Sequence, residues 1–210
     1  GGKVVLASGR PTYGVMPLAQ ELDLQRYGSY VLSFNGGIIT DCGTGRVVFE
    51  KMLPMDIPAQ VYDLSRRYKT SMLTYQGSNI ITETPEDYYV QKESYCTKME
   101  PKKVGNLKDY VDFPVAKCMM MGKGIHLAEV EREVKDYFGG TLNIFRSEPY
   151  FLEIMPQGID KAESLKRLLE QVGMESSEMA AFGDGYNDKS MLMLAGLGVA
   201  MENGQAAVKA

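Results

Sequence analysis

The chain has 210 residues, 44% hydrophobic and 24% charged, the proportions of a folded soluble protein. At about 150 residues per domain this allows one to two domains, and it excludes disorder, collagen or coiled coil as a description of the whole. Lys and Arg number 23 against 27 Asp and Glu, and the net charge of −4 offers no global positive field for a nucleic acid.

No apolar run approaches the roughly 20 residues of a membrane span, and the first residues carry no signal-peptide pattern. Cys42, Cys96 and Cys118 are odd in number and far apart, so they read as reduced thiols of a cytoplasmic protein. His126 is the only histidine. Mechanisms that need a histidine pair or a His-rich metal site are therefore excluded, and His126 itself reads as structural.

In chain order, Val4 to Ala7 is an apolar run of buried-strand type, followed by Ser8-Gly9-Arg10-Pro11. A helix is expected from about Tyr13 to Leu22, with Pro11 in its first turn. Tyr30 to Phe34 reads as a strand ending in Asn35-Gly36-Gly37, and Ile38–Thr40 and Val47–Phe49 as a short hairpin. Strand, helix, strand begins a parallel α/β sheet.

From Pro54 the texture changes. A helix carries Val61, Leu64 and Tyr68, two strands follow at Ser71–Tyr75 and Asn79–Thr82, and a less regular Tyr- and Lys-rich stretch runs to Phe113. Then come a strand at Ala116–Met121, a helix striped by Leu127, Val130, Val134 and Tyr137, and strands at Leu142–Ser147 and Tyr150–Met155. This is α+β texture, read as a unit inserted into the first. After Pro156 the α/β texture resumes with a helix at Lys161–Val172 stopped by Gly173, a strand at Met179–Phe182, a short helix with Met191, Leu192 and Leu194, and a buried strand at Gly198–Met201. Gln205 to Ala210 reads as the first turns of a helix. Both ends, Gly1-Gly2-Lys3 included, suggest that the natural protein extends beyond this sequence.

Ligands of open parallel sheets bind at the carboxyl ends of strands. Two loops sit there. Ser8-Gly9-Arg10 offers a hydroxyl, a bare backbone and a guanidinium, groups suited to a phosphate. Gly183-Asp184-Gly185-Tyr186-Asn187-Asp188 offers hard oxygen ligands suited to Mg²⁺. Taken singly, each loop is better explained as an ordinary turn or N-cap. Lys161 alone reads as a surface lysine in a helix's first turn. Gly122-Lys123-Gly124 completes no phosphate-binding fingerprint, and a tight turn accounts for it. Lys98, Lys102, Lys103 and Lys108 read as a solvated face.

In order, however, Val5-Leu6-Ala7-Ser8-Gly9-Arg10-Pro11, Ser33-Phe34-Asn35-Gly36-Gly37, Glu153-Ile154-Met155-Pro156-Gln157-Gly158-Ile159-Asp160-Lys161 and Ala181-Phe182-Gly183-Asp184-Gly185-Tyr186-Asn187-Asp188 resemble the haloacid dehalogenase-like (HAD) phosphatases of the Cof type. Leu194-Ala195-Gly196 and Gly198 to Asn203 extend the match, which covers essentially the whole chain. The resemblance implies an α/β fold: a Rossmann-like parallel-sheet core, residues 1–53 and 154–210, with an inserted α+β cap, residues 54–153, crossing near Leu53 and Ile154. It implies a Mg²⁺-dependent phosphatase of a small phosphorylated metabolite, a sugar phosphate or phosphorylated cofactor, working through an aspartyl-phosphate.

Residue by residue, it implies that Ser8 and the Gly9 backbone hold the phosphoryl group, that Lys161 neutralises it, and that Asp184 is the Mg²⁺ ligand. Asp188 would orient the metal site and Lys161, Asn187 would touch phosphate, and Arg10 and Asn35 would face substrate or cap. Lys161 and Ser8 are expected at the site mouth, where substitution costs little stability. The family's Asp-x-Asp nucleophile loop and C-terminal tail have no counterpart here. On that resemblance the strands at Val4–Ala7 and Met179–Phe182 should lie two spacings apart, roughly 9.5 Å, with an empty place between them. A phospho-ligand binding protein without catalysis, on the same fold, is the alternative.

Overall fold

The computed structural model describes residues 2–209. Strand β1 (Val5–Ala7) leads into helix α1 (Thr12–Glu21), then β2 (Tyr30–Ser33), β3 (Ile38–Asp41) and β4 (Val47–Glu50). β1 runs parallel to β2, and β2, β3 and β4 are antiparallel neighbours, giving the order β1-β2-β3-β4. β2 is buried on both faces, as its unbroken apolar run requires. Pro11 caps α1 from outside instead of lying in its first turn. After β2 the chain turns sharply at Gly36, with φ of 94°, where a Cβ would lie 2.4 Å from the Cβ of Ser164. Only glycine fits there.

The middle of the chain builds α2 (Ile57–Arg67), β5 (Ser71–Gln76), β6 (Asn79–Thr82), α3 (Tyr88–Thr97), β7 (Glu100–Lys103), α4 (Leu107–Tyr110), β8 (Cys118–Met121), α5 (Gly124–Phe138), β9 (Leu142–Glu148) and β10 (Phe151–Pro156). They form one six-stranded sheet, ordered β7-β6-β5-β8-β10-β9, antiparallel except for β6 and β7. Successive strand residues point to opposite faces. Met72, Cys118, Met120, Leu152 and Ile154 accordingly pack with Ile57, Val61, Leu127 and Val130 of α2 and α5. Leu73, Met119, Met121, Phe151 and Met155 face the other way, toward Val90 of α3 and toward Phe34 and Ile159.

The irregular Tyr- and Lys-rich stretch is in fact α3, β7 and α4. α3 has no continuous apolar stripe, since only Val90, Glu93 and Thr97 of its ten residues are buried, and its start is fixed by Asp87, whose side chain accepts from the Tyr89 amide. On α5 the buried aromatic is Phe138, while Tyr137 is exposed.

This sheet and the first strands share one apolar cluster, in which Phe34, Ile38, Phe49 and Met52 pack with Leu73, Tyr75 and Met119. Phe34 meets Tyr75 edge-on at 5.6 Å, and the Leu53 amide donates to the Val115 carbonyl at 2.9 Å. A Cβ on Gly14 of α1 would stand 2.8 Å from the Thr97 carbonyl oxygen. β10 runs through Ile154 without a break as far as Pro156.

The last segment gives α6 (Lys161–Val172), β11 (Ala180–Gly183), α7 (Lys189–Leu194), β12 (Leu197–Ala200) and α8 (Ala206–Lys209), the helical start expected at the end of the chain, of which Ala210 lies outside the described residues. The side chain of Asp160 caps α6 by accepting from the Glu163 amide at 2.9 Å, and Gly173 ends it at φ of 69°. β11 and β12 form a separate two-stranded parallel pair.

β1 and β11 are not hydrogen-bonded to each other. Between them opens an apolar slot of about 500 Å³, lined by Val5, Ala7, Leu165, Leu168, Ala181 and Met191. The slot explains two departures from the expected burial. β1 is only half-buried, and β12, expected to be buried, is largely exposed because β11 carries it away from the other strands. In hydrogen exchange on the 210-residue chain, amides of β1 and β11 should exchange far faster than those of β5 and β8, since one edge of each borders the slot. Equal protection would show that the two edges are paired.

Candidate active site

The site is assembled from three loops at strand ends. After β1, the Ser8 amide donates to Leu32 O at 2.8 Å and the Asn35 amide to Ser8 O at 2.9 Å, so the Ser8–Arg10 loop is laced to the end of β2. Ser8 Oγ accepts from the Arg10 amide at 3.1 Å. Gly9 lies against Asn35, whose Oδ1 would stand 3.1 Å from a Cβ at that position. Asn35 is buried and left-handed at φ of 55°, and its Oδ1 accepts from Asn187 Nδ2 at 2.8 Å. That bond ties the second loop to the third.

The third loop follows β11. Asp188 is 5% exposed and its Oδ2 accepts from the amides of Asp184 and Gly185, each at 3.0 Å. Its other oxygen, Oδ1, is ion-paired with Lys161 Nζ. Lys161 is also 5% exposed. It is therefore not the surface lysine expected at the mouth: α6 begins at Lys161 and directs its first side chain inward to the carboxylate. Burial by itself raises the Asp188 pKa, but the Lys161 ammonium and the two amides outweigh it, and the carboxyl is held below its ordinary value.

Asp184 is exposed, and its Oδ2 accepts from Asn203 at 3.1 Å. Its Oδ1 has no hydrogen-bond partner among the described residues. No three His, Cys, Asp or Glu side chains among them converge as a metal cluster. Asp184 nevertheless suits Mg²⁺, which needs one or two carboxylates and completes its shell with water and phosphate oxygens.

These loops border a cleft of about 630 Å³ whose lining includes Gly9, Asn35, Lys161, Gly185 and Asn187, together with Glu153 of β10. Arg10 is exposed, and neither it nor Ser8, Asp184 or Asp188 is among the lining residues. The cleft's lining includes neither His126, whose Nε2 lies 2.7 Å from Tyr68 O, nor Lys123. Lys117, which nothing in the sequence marked, reaches Gly9 O at 3.4 Å from beneath.

The model of the haloacid dehalogenase-like hydrolases matches residues 1–210. The chain belongs to that family. A crystal structure of a haloacid dehalogenase-like hydrolase from Bacteroides thetaiotaomicron superposes with a TM-score of 0.94 at 47% identity, over 99% of this chain and 78% of the other. The Bacillus subtilis protein YxeH is 32% identical over 206 residues, 97% of this chain and 76% of its own. The 5-amino-6-(5-phospho-D-ribitylamino)uracil phosphatase YitU of Bacillus subtilis is 26% identical over 220 residues, 100% of this chain and 77% of its own. The expected family and α/β fold are thereby shown, and the chain is a HAD-type hydrolase. Among the described residues no helix is long and apolar enough to cross a membrane.

The buried pair makes a stability prediction for this hydrolase. Because the folded pKa of Asp188 is depressed, its contribution is complete above the ordinary carboxylate value of about 4 and is lost as pH falls through the lower folded value. Asp188→Asn should therefore flatten the acid limb of a stability–pH curve measured by chemical denaturation. It should also cost about 3–5 kcal/mol at neutral pH by leaving Lys161 buried and uncompensated. A curve that keeps its acid limb and loses under about 1 kcal/mol would contradict the pairing.

Proposed function

We propose that this hydrolase is a Mg²⁺-dependent phosphatase of small phosphorylated metabolites, a sugar phosphate or a phosphorylated cofactor, acting in the cytoplasm. The observation that carries the reading is the buried Lys161–Asp188 pair, whose lysine lines one cleft together with Gly9. Phosphoryl transfer asks mainly for fixed charge and alignment, which such a pair supplies.

In this reading the Ser8 hydroxyl and the Gly9 amide bind phosphoryl oxygens, and Lys161 balances their charge. Asp188 holds Lys161 in place through its three acceptor contacts. Asn187, fixed by Asn35, faces the phosphate, and Arg10 and Asn35 meet the rest of the substrate. Asp184 would hold Mg²⁺, which supplies further charge neutralisation at the phosphoryl oxygens.

The nucleophile would be a carboxylate outside this sequence, on a strand that pairs with β1 and β11 in the slot between them. That carboxylate would take the phosphoryl group as the alcohol leaves, and water would then release phosphate. Residues 54–153 would act as a cap over a core of residues 1–53 and 154–210, hinging near Leu53 and Ile154 to open and close the cleft. The similarity to YitU, a phosphatase of a phosphorylated metabolite, lends support to this class of substrate.

Two measurements on the full-length enzyme check the assignment. Turnover of 4-nitrophenyl phosphate should fall at least ~100-fold in Lys161→Ala and in Ser8→Ala, the loss seen when one preorganised charge-stabilising group is removed. Unchanged turnover would refute their roles. Calorimetric titration should show Mg²⁺ binding that Asp184→Asn weakens by at least about tenfold, and equal affinity would remove Asp184 from the metal site.

A further inference from the structure

Among the residues that line the cleft with Gly9 and Lys161 is a carboxylate that the proposed chemistry does not use. Glu153 alternates along β10 with Leu152 and Ile154, which face α2 and α5, so it points to the other side with Phe151 and Met155. It is 5% exposed and lines the cleft. Its Oε2 is buried without a hydrogen-bond partner.

The nearest cation is Lys117 Nζ at 3.4 Å, itself 2% exposed. That ammonium donates to Gly9 O at 3.4 Å and stands 5.3 Å from the Tyr75 ring and 5.9 Å from the Phe34 ring. Lys117 thus offsets the charge of Glu153 without filling its acceptor positions. A buried acceptor left open costs stability unless something completes it.

A salt bridge between two neighbouring strands of the six-stranded sheet would account for the closeness of the two groups. It does not account for a buried carboxylate that lines a ligand-sized cleft and makes no hydrogen bond among the described residues, its Oε2 facing only Lys117. The pair's net charge is zero, which favours a neutral O–H donor over an ammonium group.

We propose that Glu153 determines specificity for the leaving group: its carboxylate accepts a hydrogen bond from a hydroxyl on the part of the substrate that departs as the alcohol. The substrate is then a phosphate ester of a hydroxylated alcohol, and its hydroxyl reaches Glu153 when its phosphate meets Lys161. This assignment rests on the phosphatase reading of the same cleft.

The test compares kcat/KM of the full-length enzyme on a panel of sugar and polyol monophosphates, phosphoethanolamine and phenyl phosphate. Glu153→Leu alone would strand Lys117, so the main variant is Lys117→Met/Glu153→Leu, since apolar replacement of a whole buried pair is commonly tolerated. Glu153→Gln, which keeps shape and part of the hydrogen bonding, is measured beside it, with melting temperatures of all three proteins.

The wild type should prefer a hydroxylated phosphate over both phenyl phosphate and phosphoethanolamine. The double variant should shrink that preference over phenyl phosphate by about 10- to 100-fold, with Glu153→Gln intermediate, as when a hydrogen bond to a charged group is lost. An equal fall on hydroxylated and phenyl phosphates would assign the pair to structure alone and overturn the inference. So would an unchanged preference, or a wild type that prefers phosphoethanolamine. Wild-type failure on every ester would overturn the phosphatase reading, and this inference with it, whereas the first three outcomes leave that reading standing.

Discussion

Two opposite charges from segments far apart in sequence, Lys161 and Asp188, meet almost out of reach of water. Such a pair survives only if each partner's remaining needs are met, because desolvation rivals the Coulomb gain. The needs are met on the Asp188 side by the amides of Asp184 and Gly185. The same two bonds fix the loop on which Asp184 stands. On the Lys161 side, the Asp160 cap sets where α6 starts and so where its first side chain can reach. One electrostatic requirement therefore positions both the cation and the candidate metal ligand.

The rest of the site hangs on this pair through short polar ties. Asn187 reaches Asn35, and Asn35 sits against Gly9, so the loops after β1, β2 and β11 behave as one floor. The six-stranded sheet is joined to these loops and strands by a shared apolar cluster and by contacts of several kinds. Phe34 against Tyr75 is apolar, Gly14 against Thr97 is a close backbone approach, and Lys117 to Gly9 O is polar.

Much of this was legible in the sequence because its signals are local. α6 shows a cap, an apolar stripe and a terminal glycine within a dozen residues, and the observed Lys161–Val172 agrees with the expected bounds. The loops bearing Ser8, Asn35 and Asp184 likewise follow apolar runs that become β1, β2 and β11. What escaped depends on residues distant in the chain. The depth of Lys161 is decided by Asp188, 27 positions later, so the helix start alone read as surface. α3 and β7 were missed because their packing partners, not their own periodicity, order them. The exposure of β1 and β12 follows from the open slot, which no local pattern reports. Lys117 and Glu153 matter only through their meeting across β8 and β10, and neither carries a motif of its own.

The central claim is that the cleft lined by Gly9, Lys161 and Gly185, with Ser8 next to Gly9 in its loop, receives a phosphoryl group. Amide chemical-shift mapping of the full-length protein, titrated with inorganic phosphate in the presence of Mg²⁺, tests it most directly. The largest shifts should fall on Ser8, Gly9, Lys161 and Gly185, and Lys161→Met should weaken the binding by at least about tenfold. Shifts centred instead on the separate cleft beside Arg66 and Lys69 would contradict the account.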